Sequence, residues 1–397
     1  MKAFPIGSLT GKVATWNPAT SGQIDEFSYI DLGSIDQKIK KIARTQRVQP
    51  DQAPSRARQL VRSGDVLVAT VRPNLNGVAL VPDELDGATA STGFCVLRPG
   101  PDLDAAYLFH WVRSPQFIAE MTRKATGQSY PAVSDRIVKE SSIPTPPVAV
   151  QRWIAQVLDE VDQLRTKRRE AITLLDGLVP SIFSNMFGNL STGADRLPRK
   201  TLLEWVDSQR PITYGILKPG DDEPGGAPYV RVVDMKRGGI DTSAIRRTTH
   251  EISAQYKRSI LKEGDILMSI RGHVGRLALV PKDLEGANIT QDSARIAIPV
   301  ESARYVMEYL RTYDVQNWMA RRTKGAAVKG INLGDIKTLE IPVPPLDLQR
   351  RFSTRAAEVD QLVSREYAHL AELDALFLSV QHRAFRGELQ ADRTPNV

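Results

Sequence analysis

The chain has 397 residues, 53 Lys plus Arg against 46 Asp plus Glu, and a formal net charge of +7; its 41% apolar and 25% charged fractions exclude wholesale disorder and a collagen repeat. No run approaches the ~18 apolar residues of a membrane span, and the first residues, MKAFPIGSLTGKV, lack an apolar signal core, so a cytoplasmic protein is expected. Cys95 has no second cysteine to pair with, and one thiol with five scattered His makes no structural zinc site.

Residues 1–143 read as a β-rich globular unit. The turn signal Gly64-Asp65 opens an apolar, β-branched run over 66–71, and a second run covers 77–81. Between them lies the turn-type segment Arg72-Pro73-Asn74-Leu75-Asn76. A helical stretch is expected near 107–123. Ile143-Pro144-Thr145-Pro146-Pro147 and Gln151-Arg152 then introduce a helical segment within 144–188, because a Pro pair makes a stiff entry that cannot lie inside a helix. Val150, Ile154, Val157, Val161, Leu164, Arg168, Ala171, Leu175, Leu178 and Ile182 alternate at spacings of four and three, the pattern of a coiled-coil seam. Gly177 and Pro180 should bend or break that helix near its end.

Residues 189–341 repeat the plan. Gly264-Asp265 precedes an apolar run over 266–270, followed by Arg271-Gly-His273-Val-Gly275 and a run over 276–280, with a helical stretch expected near 305–324. Ile341-Pro342-Val343-Pro344-Pro345 and Gln349-Arg350 open a second long helix within 342–390, and residues 391–397 read as a flexible tail. Its seam is more polar: Leu348, Phe352, Arg355, Val359, Leu362, Glu366, His369, Leu373, Leu376 and Val380. Between 143–165 and 341–363, 11 of 23 positions are identical without a gap, where chance gives about one or two. This is a duplicated domain pair; solenoid repeats have a period of about 20–50 residues.

The charge divides along the duplication. Residues 1–143 sum to +3, residues 189–341 to +5, and the helical segments 150–188 and 348–390 to zero. That partition fits globular units that touch phosphate and helices that touch protein. Phosphate-loop, nucleophile-elbow and HExxH motifs are missing, so no catalytic and no metal residue is assigned.

Two variable units, each closed by I-P-x-P-P, Gln-Arg and a heptad helix ending on Phe187-Gly188 or Phe385-Arg-Gly-Glu-Leu389, resemble the specificity subunit of type I restriction–modification systems. The similarity extends over nearly the whole chain and includes Tyr214-Gly-Ile and Pro228-Tyr-Val-Arg-Val-Val-Asp234, which look like the start of a target-recognition domain. The resemblance implies an α+β fold of two β-rich target-recognition domains, each followed by a long helix. The helices would pair as an antiparallel coiled coil about an internal pseudo-twofold. It further implies a non-catalytic, DNA-reading chain that docks two modification subunits using S-adenosylmethionine to methylate adenine, together with restriction/translocase subunits using ATP and Mg²⁺. This chain itself would hold no cofactor. About 38 helical residues at ~1.5 Å each would span about 57 Å, which bounds the gap between half-sites at roughly 17 base pairs. A non-DNA-binding coiled-coil scaffold and a stand-alone methyltransferase or nuclease are the alternatives.

Base reading is expected from loops with Arg, Asn and Gln, which pair bidentately with guanine or adenine. The candidates are Arg72, Asn74 and Asn76 with their counterparts Arg271, His273 and Arg276, and a second loop with Lys124, Gln128, Ser129 and Tyr130, or Lys324, Lys329 and Asn332. Lys124 and Lys324 suit phosphate. Arg168 and Glu366, equivalent near the helix midpoints, are expected to form an interhelical ion pair that selects register.

Overall fold

The computed structural model describes residues 1–20, 26–188, 197–325 and 329–389; the tail expected at 391–397 lies outside them. The chain forms two compact units, residues 1–171 with 366–397 and residues 172–365.

The first unit holds two four-stranded sheets. One runs Gln46–Val48, Phe27–Ile30, Thr89–Ser91, Ala57–Leu60, and the other Thr10–Gly11, Phe94–Pro99, Val66–Ala69, Val78–Leu80. In the second unit the latter order returns as Thr213–Tyr214, Ser293–Ile296, Ile266–Ser269, Leu277–Leu279, and the former as three strands, Arg246–Thr248, Ala227–Val230, Asn288–Ile289. The central strand explains its unbroken apolar run. Val66 and Val68 face one core and Leu67 another; Ile266 and Met268 are divided from Leu267 in the same way. Alternate side chains on a strand point to opposite faces, so a strand between two cores is apolar throughout.

The Gly-Asp turns become fixed points. Gly64 and Gly264 take φ of +82° and +79°, where a side chain is strained. The following carboxylates are buried. Asp65 accepts two bonds from Arg98 (2.9 and 2.7 Å) and one from the Arg62 amide, while Asp265 accepts two from Arg210 (2.7 and 2.6 Å) and one from the Lys262 amide. The helical stretch expected near 107–123 divides at Ser114, whose hydroxyl caps Pro115–Lys124, and its counterpart divides into Val300–Arg311 and Tyr313–Arg322.

The repeated Pro motif is a strand end locked to a helix start. Ser142–Pro144 pairs with Ala3–Pro5, and Glu340–Pro342 with Arg199–Thr201. The Tyr107 and Tyr305 hydroxyls donate to the Pro144 and Pro342 carbonyls at 2.8 and 3.0 Å. The buried amides of Gln151 and Gln349 each donate to a carbonyl of the Pro pair, Pro146 or Pro344, at 2.8 Å. The Gln of each Gln-Arg therefore staples the first helical turn to the segment that enters it.

Three helices follow from the heptad segments: α1 (Val148–Asp176), α2 (Leu178–Phe187) and α3 (Leu346–Arg386). Gly177 separates α1 from α2, and Pro180 sits in the first turn of α2, where its missing N–H costs nothing. Within the first unit α1 and α3 run antiparallel, since Arg168 pairs with Glu366 and Arg165 with Asp374. Within the second unit Phe183 and Phe187 meet Phe352 edge-on, at 5.3 and 5.6 Å between centroids.

The seam departs from the 4–3 pattern. Ile154, Val161, Phe352 and Val359 are buried and Val150, Val157 and Leu348 partly so, but Leu164 (52% exposed) and Leu362 (45%) face outward, as do Arg355, His369 and Leu376. The reason is that each helix packs first on its own globular body: Ile154, Leu158 and Val161 join the core around Tyr107, Trp111 and Phe117. A 3.6-residue period drifts from a strict heptad register, so the inward position after Val161 falls to Arg165. Its guanidinium lies 4.5 Å over the Phe377 ring and bonds Asp374 at 2.6 Å and Asp162 at 2.7 Å.

Candidate nucleic-acid interface

In each unit the two loops singled out from sequence are one structure. Val71 bridges Ala132, the Arg72 amide donates to the Pro131 carbonyl at 2.7 Å, and the Arg72 guanidinium lies 4.7 Å from the Tyr130 ring centre. In the second unit Arg271 bridges Gly330, the Gly272 amide donates to the Lys329 carbonyl at 2.8 Å and the Ile331 amide to Ile270 at 3.0 Å. A loop after the central strand is thus knitted to a loop after the second helix, and the joint presents Arg72, Asn74, Gln128, Ser129 and Tyr130, or Arg271, His273, Lys324 and Lys329, to solvent. Tyr130 is 69% exposed, a large ring left in water beside a guanidinium.

Three candidates are placed otherwise. Asn76 is buried, its amide donating to the Val112 carbonyl at 2.9 Å, so it holds the loop to the helix beneath. Arg276 is partly buried and donates to Val232 O at 3.0 Å. Asn332 caps Leu333–Lys337, accepting from the Gly334 amide at 2.8 Å. Lys124 is exposed and pairs with Glu120 at 2.6 Å, one turn back on its own helix.

A further element, which loop composition did not reveal, abuts each joint: the hairpins Ile35–Asp36/Lys41–Ile42 and Met235–Lys236/Gly239–Ile240. The Lys40 ammonium donates to the Asn76 carbonyl at 2.5 Å, and burial together with the nearby Arg113 charge pulls its pKa down to about 8. Among the described residues, the non-glycine residues with left-handed backbone are Lys40, Arg72, Asn76 and Arg237, and all four lie in these loops and hairpins. Such strain gathers where function over-determines the backbone. The available signal was the basic run Lys38-Ile-Lys-Lys-Ile-Ala-Arg-Thr-Gln-Arg47.

The Cys95 thiol is buried and pushed up to about 12 by that burial. Among the described residues no cluster of His, Cys, Asp and Glu could hold a metal ion, and no helix is long and apolar enough to cross a membrane. The surface offers guanidinium, amide, imidazole and phenol groups, which suit hydrogen bonding, stacking and phosphate contact.

A family model for the type I restriction modification DNA specificity domain matches residues 60–174 and 216–372. The Escherichia coli type I restriction enzyme EcoBI specificity subunit is 28% identical over 312 residues, covering 71% of this chain and 66% of that protein. The EcoKI specificity subunit of E. coli strain K12 is 24% identical over 335 residues, covering 75% and 68%. A chain solved in work on complex assembly and conformational transition of the type I R-M system is 27% identical, with a TM-score of 0.60 and 98% of both chains covered.

Proposed function

Because the chain belongs to the type I restriction modification DNA specificity family, we propose that it reads a bipartite, asymmetric DNA site with a fixed gap and docks the methyltransferase subunits of a restriction–modification complex. The observation that carries the reading is the doubled loop joint. The same backbone scaffold occurs once in each unit and presents different side chains, Arg72, Asn74 and Tyr130 in one and Arg271, His273 and Lys329 in the other. Equal scaffolds with unequal surfaces suit two half-sites of different sequence, whereas identical readers would ask for a palindrome. The paired helices would set the gap. The chain is a recognition subunit without catalysis of its own.

Two copies of one helical segment, alike in burial and ion pairing, support two modification subunits. The identical segments 160–164 and 358–362 bury Val161 and Val359, bind Arg113 and Arg304 of their own units through Asp162 and Asp360 at 2.9 and 2.8 Å, and expose Gln163-Leu164 and Gln361-Leu362. The outward Gln-Leu is repeated at the same place in both units. The partners would carry S-adenosylmethionine, and restriction/translocase subunits ATP and Mg²⁺. Selection of duplexes from a random-sequence pool by the purified full chain tests the reading. Enrichment of two separated, dissimilar half-sites supports it; a contiguous palindrome or no enrichment contradicts it.

A further inference from the structure

Resting on that reading, we propose that residues 37–50 and 236–247, the hairpin and following strand of each unit, are phosphate-gripping elements that press DNA onto the adjoining base-reading loops.

The charge count points to these segments. Residues 37–50 hold Lys38, Lys40, Lys41, Arg44 and Arg47 and no acid, a charge of +5, while residues 1–143 sum only to +3. The whole excess of that unit sits here and the remainder is net negative. Residues 236–247 hold Lys236, Arg237, Arg246 and Arg247 against Asp241, which is +3 of the +5 on residues 189–341. The two sequences share little else, yet the charge returns at the same place in the fold: a hairpin leading to Gln46–Val48 in one unit and to Arg246–Thr248 in the other.

Lys38, Lys41, Arg44, Arg47, Lys236, Arg237, Arg246 and Arg247 are exposed, with Lys236 paired to Asp241 and the Arg247 guanidinium donating to the Gly226 carbonyl at 2.8 Å. The nearby acids engage backbone amides or single cations of these segments. The Asp36 carboxylate accepts from the Lys38 and Ile39 amides, Glu26 lies 3.8 Å from Arg47, Asp241 pairs with Lys236, and Asp222 accepts from the Arg247 backbone. Among the described residues Lys38, Lys41 and Arg44 form no ion pair.

The location selects nucleic acid over an acidic protein. Lys40 ties the first hairpin to Asn76 in the reading loop, and Arg276, from the second reading loop, reaches Val232 O in the turn that opens the second hairpin. A duplex lying on the loop joint would bring its backbone past the hairpin. Base loops would then select and basic hairpins would grip, a division usual in protein–DNA interfaces.

The test compares the full wild-type chain with Lys38→Ala/Lys41→Ala/Arg44→Ala and with Arg246→Ala. Two duplexes serve as probes: one enriched by the wild-type chain from a random pool, and one scrambled from it. Each phosphate contact contributes about 0.9 to the slope of log affinity against log salt, so the triple variant should lower the slope by about 2 to 3. Between about 50 and 200 mM salt its affinity should fall about 40-fold less than that of wild type. Both duplexes should weaken alike, with the thermal transition unchanged, and Lys38→Arg/Lys41→Arg should keep the wild-type slope. An unchanged slope overturns the proposal, as does a loss confined to the enriched duplex. An unchanged slope with lost co-purification of partner subunits overturns it in favour of an acidic protein surface. If the wild-type chain prefers neither duplex, the DNA-reading assignment itself fails, and that is seen before any variant is measured.

Discussion

Phe377→Ala and Leu376→Ala form a pair whose outcome separates the observed helix packing from a simple heptad seam. A heptad places Leu376 inward, but in the first unit it is 47% exposed and Phe377 is 4% exposed. The Phe377 ring lies 6.0 Å from the His110 ring, with the Arg113 and Arg165 guanidiniums at 5.3 and 4.5 Å. Truncating a buried Phe costs about 3–5 kcal/mol, and two lost cation–π contacts are of the order of 0.5–1 kcal/mol each, so about 4–7 kcal/mol is expected. For a unit of this size that lowers Tm by about 8–28 °C. Leu376→Ala should cost about 0.5–1 kcal/mol, because half its surface already meets water. Two units need not unfold together, so the assay is hydrogen exchange of the amides in Ala105–Val112 alongside thermal melting. Faster exchange there in Phe377→Ala and not in Leu376→Ala is the expected result. A larger cost for Leu376→Ala, or under about 1 kcal/mol for Phe377→Ala, would refute the packing.

Gly215→Ala should destabilise the second unit by about 3 kcal/mol or stop it folding, because the new Cβ would stand 1.8 Å from the Ile289 carbonyl oxygen; a Tm change under about 1 °C contradicts this. His110 is buried with Nε2 2.8 Å from Asp159, and burial holds its pKa below the ordinary value of 6.5. The folded unit therefore binds fewer protons than the unfolded chain just below pH 6.5. Stability is full above that pH and falls as pH drops toward the folded pKa. His110→Gln should flatten the fall of Tm as pH drops below about 6.5, and an equally steep curve excludes the imidazole as the cause. Arg168 and Glu366 are paired with side chains 33% and 19% exposed. A double-mutant cycle should give a coupling of about 0.5–1 kcal/mol, and zero coupling removes any role in register.

The duplication, the strand–helix order and the site of the helix break were legible because they depend on local rules: Pro-Pro entry, Gly-Asp turns and apolar runs. The two candidate loops were identifiable by composition, but their union through the Val71–Ala132 and Arg271–Gly330 bridges is a long-range fact that spacing cannot encode. Asn76 and Asn332 show the limit of residue type as a guide, since an amide suited to adenine also suits a carbonyl or a helix cap. The seam misplaced Leu164 and Leu362 because a heptad count assumes that helices pack only on each other, and here they pack first on their own sheets and helices. The hairpins' charge is diluted in the net charge of each unit. A shorter window finds +5 over residues 37–50.

The central claim, that one chain sets a two-part DNA site, is tested most directly by sequencing adenine methylation in cells that carry the modification partners with this gene, without it, and with Arg271→Ala. The account predicts one bipartite motif with a constant gap that appears only with the gene, and a relaxed base in one half alone for Arg271→Ala, worth about 1–3 kcal/mol of discrimination. Methylation that is unchanged by removing the gene, or a motif altered in both halves by the single substitution, would contradict it.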